Sequence, residues 1–119
     1  MTNISSNAAE LLVLAYDEFL RRRKVGLSIA DASRFHDTVS FHRNFCKESN
    51  CDDVRYGLFE LQKHGLITGG NYDNMLYQIQ LTSFGITTME RFYQEIKDAK
   101  LQNIKSLALS VVDFITHHL

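Results

Sequence analysis

The chain has 119 residues, 45% of them hydrophobic and 23% charged, with 13 Lys and Arg against 14 Asp and Glu and a formal net charge of −1. Length and composition favour one globular domain with a core small enough to need efficient helix packing. The charge balance excludes a uniformly basic surface, so any basic patch must come from local segregation. No apolar run reaches the roughly eighteen residues of a membrane-spanning helix.

The opening, "MTNISSNAAE", has neither the positive start nor the apolar segment of a signal peptide, so the expected location is the cytoplasm. Residues 1–7 are polar and expected to fray. Asn7 is a candidate cap for a first helix running to about Lys24, with Ala8, Leu11, Leu12, Ala15, Phe19 and Leu20 on one side. The helix ends in Arg21, Arg22, Arg23 and Lys24, which complement its dipole and also form a candidate phosphate-contacting cluster. Gly26 stops the helix. The segment 25–40 reads as mostly irregular, with a short edge strand possible at Leu27 and Ile29 and a helical turn possible from Asp31 to Arg34.

Ser40 is a candidate cap for a short helix over 41–48, with Phe41 and Phe45 facing inward at i and i+4. Asp52 is a candidate cap for a helix over 53–64 whose apolar seam is Val54, Leu58 and Leu61. Gly57 inside that helix costs about 1 kcal/mol relative to alanine, which suggests close approach by a neighbour. Gly65 suits the left-handed residue that ends it. "LIT" (66–68) and "MLYQIQLT" (75–82) read as strands around "GGNYDN", a hairpin. Strict alternation puts Leu76, Gln78 and Gln80 on one face and Tyr77, Ile79 and Leu81 on the other. A helix from Ser83 to about Lys100 follows, with Met89, Phe92, Tyr93 and Ile96 on one face. The last helix, 101–118, carries a broad stripe (Leu101, Ile104, Leu107, Ala108, Val111, Val112, Phe114, Ile115), wide enough to call for heavy packing or a partner chain.

The expected architecture is α+β: helix, possible short strand, two helices, hairpin, helix, and a long C-terminal helix. In outline this resembles a winged helix-turn-helix domain. "VRYGLFELQKHGLI" (54–67) looks like the recognition helix of MarR- and PadR-type regulators, and "QLTSFG" (80–85) looks like the Leu-Thr-x-x-Gly step by which such proteins leave the wing. The likeness covers about residues 41–92. It implies a core over 8–82, with 83–119 as C-terminal helices, and a double-stranded DNA partner. It also implies a homodimer through the last helix with help from the first, acting as a transcriptional regulator without a cofactor. The outward residues of the third helix, Arg55, Tyr56, Phe59, Gln62 and Lys63, would enter the major groove, with Arg55 and Gln62 as base-edge candidates. Lys63, Asn71, Tyr72 and Asn74, with Arg22 and Arg23, would contact phosphate or sugar.

The departures from that pattern are as specific as the match. Asp52 and Asp53 stand where a helix N-terminus would otherwise attract phosphate, and Glu60 lies on the same helix. The wing carries Asp73 and no Lys or Arg. Tyr56 and Phe59 are large apolar groups on a face expected to be wet. These features fit an alternative, a winged-helix protein-interaction module. His36, His42, Cys46 and Cys51 form a possible zinc set whose spacing matches no standard pattern, and Cys46 with Cys51 a possible redox pair. His117 and His118 read as a solvated end. Glycines in "ITGGNYDN" follow a helix-to-strand step, so they make no P-loop, and no catalytic constellation is apparent.

Overall fold

A computed structural model describes residues 3–96 and 103–118. Its helices begin where short polar side chains accept from backbone N–H groups two or three residues ahead. Ser5 accepts from Ala8 N (3.1 Å) to open α1, Ser6–Lys24, and Ser28 accepts from Asp31 N (3.1 Å) to open α2, Ile29–Ala32. Asp37 accepts from Ser40 N (2.8 Å) to open α3, Thr38–Phe45. Asn50 accepts from Asp52 N (2.8 Å) and Asp53 N to open α4, Cys51–Lys63. Thr82 accepts from Gly85 N (2.9 Å) to open α5, Ser83–Glu95, and α6 runs Ile104–His118.

Three of these caps differ from the expected Asn7, Ser40 and Asp52. Ile4 is buried in the core, which makes Ser5 the cap and overturns fraying for residues 4–7. Asn7 instead donates from its amide to the Asp53 carbonyl (2.8 Å), tying α1 to α4. The Thr38 hydroxyl is buried against Leu76, which pulls α3 back to Asp37. At α4 the Asn50 side chain serves two N–H groups at once, so the helix starts one residue before Asp52. The expected strand at Leu27 and Ile29 is replaced by α2, and the strand forms later as β1, Arg34–Phe35.

Strand β1 pairs antiparallel with β3, Met75–Leu81, which pairs with β2, Ile67–Tyr72, in the order β1-β3-β2. Asp73 (φ 49) and Asn74 (φ 60) supply the two positive-φ residues that a tight type I′ hairpin requires. The expected alternation along β3 is overturned at Gln78. Thr68 faces Gln80 but Gly70 faces Tyr77, so β3 carries one extra residue, and Gln78 takes φ 52. This bulge resets the side-chain phase. Leu76, Ile79 and Leu81 therefore all point inward, and Tyr77 points out.

The α4 seam behaves as its spacing requires. Val54, Leu58 and Leu61 are fully buried, a contribution of roughly 5–8 kcal/mol from three such side chains, which outweighs the Gly57 penalty. Gly57 is needed where it stands: a Cβ there would lie 2.5 Å from Leu11 Cδ1 on α1. Gly65 (φ 75) ends the turn after α4 as expected. Phe35, Phe41 and Phe45 pack ring against ring, with centroids 5.1–5.7 Å apart, and fix α3 to β1. On α6, Leu107, Ala108, Val111, Phe114 and Ile115 are buried, and the helix packs on α1 of the same chain. Of the stripe, these five residues are covered within one chain, while Ile104 and Val112 are half-buried. The helices expected to reach Lys100 and to begin at Leu101 are shorter: α5 ends at Glu95, where Ile96 turns extended (ψ 127), and α6 opens only at Ile104, with residues 97–102 outside those described. Among the described residues no helix is long and apolar enough to cross a membrane.

Candidate nucleic-acid interface

With 54, 57, 58 and 61 turned to the core, helical geometry divides the rest of α4 into three strips. One faces the start of α1. There Glu60 accepts from Ser5 N (2.6 Å) and Ser5 Oγ (2.7 Å), so this carboxylate, an objection to nucleic-acid binding on sequence grounds, is consumed inside the fold. A second strip faces the wing. The Gln62 side-chain nitrogen donates to the Gly69 carbonyl (2.9 Å) and to Asn71 Oδ1 (2.9 Å). Both donors of that amide are engaged, so Gln62 positions the hairpin against α4 and is not poised to read a base.

The outermost strip is Asp52, Tyr56, Phe59 and Lys63. Tyr56 is 65% exposed, and Asp52 and Lys63 are exposed. Phe59 is half-buried and packs against the core. Arg55, between this strip and the wing, has a side chain only 16% exposed; its guanidinium lies 3.6 Å from Asp52 and 4.8 Å above the Tyr56 ring. On the wing, Asn71, Tyr72 and Asn74 are exposed, and Tyr72 meets Tyr77 edge-on at 6.3 Å. Tyr77 is a surface aromatic that alternation hides, because its orientation depends on the bulge.

Arg22 and Arg23 stand elsewhere. The contacts of Ser5, Asn7 and Leu11 place the beginning of α1 on α4, whereas the two arginines end a helix about 28 Å long. The Arg22 guanidinium bonds Glu18 (2.8 Å) and the Arg34 carbonyl and lies 4.7 Å over the Phe35 ring, fastening β1 to α1. Arg23 is exposed and donates to the Leu27 carbonyl (3.0 Å). Of the cluster that reads as a phosphate contact, Arg22 is committed to the fold and Arg21 pairs with Glu18.

The four residues of the possible zinc set are not assembled. His36 is exposed beside β1, while His42 Nε2 sits 2.7 Å from the Ser49 carbonyl oxygen. Among the described residues no group of three or more His, Cys, Asp or Glu side chains gathers for a metal. Cys46 and Cys51 are free thiols, and burial above all pushes Cys46 up to about 11, which leaves little thiolate at neutral pH.

Comparison of the chain with protein-family models, with curated proteins and with solved structures found no match. The likeness to MarR- and PadR-type regulators therefore rests on the quoted motifs and on the order of the elements.

Proposed function

We propose that the protein is a winged-helix DNA-binding protein, a transcriptional regulator acting in the cytoplasm. One observation carries the reading. Helix α4 is anchored by its inner seam, its outer strip is uncovered from Asp52 to Lys63, and Gln62 fixes a hairpin beside it. A helix with an adjoining β-ribbon is the pair of elements that a major groove and its flanking backbone accommodate.

In this reading Lys63 contacts phosphate, Tyr56 meets base edges or a thymine methyl, and Asn71, Tyr72 and Asn74 contact the backbone. Arg55 reads a base after leaving Asp52. The ion pair with so exposed a carboxylate is worth about 0–1 kcal/mol and the stacking on Tyr56 about 0.5–1 kcal/mol, whereas a bidentate contact to guanine supplies about 1–3 kcal/mol of discrimination against other bases.

The test is binding of a randomised duplex pool by fluorescence anisotropy across a salt series. Binding should weaken steeply with salt, and Lys63→Ala should reduce the salt slope by about one. Absence of binding to any duplex at low salt sinks the proposal. A second reading, a protein-interaction module, is favoured by the exposed Asp52, Asp53 and Tyr56 at the same end of α4. It predicts no duplex binding and a partner whose affinity depends on Tyr56.

A further inference from the structure

The outer strip of α4 has a pattern that DNA binding does not require. Asp52, Tyr56, Phe59 and Lys63 follow one another at intervals of four, three and four residues, the spacing of a coiled-coil seam. That series reads the same in both directions. The midpoint between Asp52 and Lys63 coincides with the midpoint between Tyr56 and Phe59. A second α4 laid antiparallel on the first, about a twofold axis at that midpoint, sets Asp52 against Lys63 and Tyr56 against Phe59, twice over. The charges are about 16 Å apart along the helix, so they flank the aromatic pair. The outcome is an apolar centre with a charged rim, the anatomy of a small protein interface, and an isologous one.

The exposures agree. Asp52 has a side chain 78% exposed, Tyr56 is open to solvent, Lys63 is exposed, and Phe59 shows one side while resting on the core. Arg55 covers one face of the Tyr56 ring and leaves the rest of it available. Asp52 meets Arg55 at 3.6 Å through one oxygen, and a carboxylate has capacity for a second cation. The acidic first turn, unhelpful to a DNA contact, becomes the complement of the helix's own basic end.

We infer that the protein associates with a second copy of itself through antiparallel pairing of the outer strips of α4, Asp52 against Lys63 and Tyr56 against Phe59. The inference does not rest on DNA binding, but the paired state would cover the strip on which the proposed DNA contact depends. Association and duplex binding would then exclude each other.

Sedimentation equilibrium of the full chain without nucleic acid, from low micromolar protein to about 1 mM, tests it. The expected result is a reversible monomer–dimer equilibrium that weakens with salt. Lys63→Asp sets acid against acid twice and should raise the dimer dissociation constant by about tenfold or more. Adding Asp52→Lys to that variant should restore it. The double variant carries both charges wrong for the helix dipole, so its recovery cannot reflect a gain in folding; far-UV circular dichroism checks that each variant is folded. A chain that stays monomeric throughout overturns the inference. So does a dimer indifferent to Lys63→Asp, or one the double variant fails to restore. Duplex binding measured at protein concentrations below the dimerisation range is a separate reading, so failure of one proposal is distinguishable from failure of the other.

Discussion

Thr38 stands in for backbone that β1 does not supply. β1 covers only the far half of β3, and where it ends the Thr38 hydroxyl accepts from Leu76 N (3.1 Å) and donates to Leu76 O (3.0 Å), fully buried. Thr38→Val keeps the shape and removes both bonds. Each buried group left unpaired costs about 1–3 kcal/mol, so urea denaturation should show a loss of about 2–4 kcal/mol, and Thr38→Ser a smaller one. A valine variant as stable as the wild type would contradict this role. Asp37, one residue before, owes its lowered carboxyl pKa chiefly to the bond from Ser40 N. A depressed folded value contributes stability that is present above the unfolded value near pH 4 and lost as pH falls through the folded one. An asparagine side chain at this position would cap equally well but would not titrate. Thermal melts should therefore show Asp37→Asn close to wild type at neutral pH and less sensitive to acid between about pH 5 and 2.

Between α4 and the wing, the decisive link is Gln62. Its two bonds to Gly69 and Asn71 hold the hairpin against the helix, and each is worth about 1 kcal/mol. Gln62→Ala removes both and should speed amide hydrogen exchange across Gly69–Tyr72 roughly thirtyfold while α4 itself stays protected. Unchanged exchange would mean that the strand pairing alone fixes the wing. Legibility in the sequence varied by element. The Val54–Leu58–Leu61 seam, Phe41 and Phe45, Gly57 as a close approach and Gly65 as the helix stop all follow from local spacing, and the structure places them so. Helix starts slipped because each is preceded by several residues able to cap, and contacts distant in sequence, such as Thr38 with Leu76, choose among them. The phase of β3 was hidden by a single non-glycine residue in the left-handed region, for which a glutamine gives no signal. Gln62 read as a base contact because its partner, the Gly69 carbonyl, comes within reach only once the hairpin has folded back.

Across the whole molecule the net charge is −1, and among the described residues Arg22 is held by Glu18, Arg23 by the Leu27 carbonyl and Arg55 by Asp52, while Lys63 is exposed on the outer strip of α4. The proposed DNA binding is accordingly expected to be modest in affinity at physiological salt and dominated by α4 and the wing. Single-residue variants probe parts of that surface one at a time, whereas the contact footprint probes all of it at once. Backbone amide chemical-shift mapping of the isotopically labelled protein, titrated with duplex DNA at low salt, reads that footprint directly. Shifts should concentrate at Asp52, Arg55, Tyr56, Phe59 and Lys63 and at Asn71, Tyr72 and Asn74, with α6 silent. Shifts confined to the end of α1, to α6, or absent altogether would contradict it.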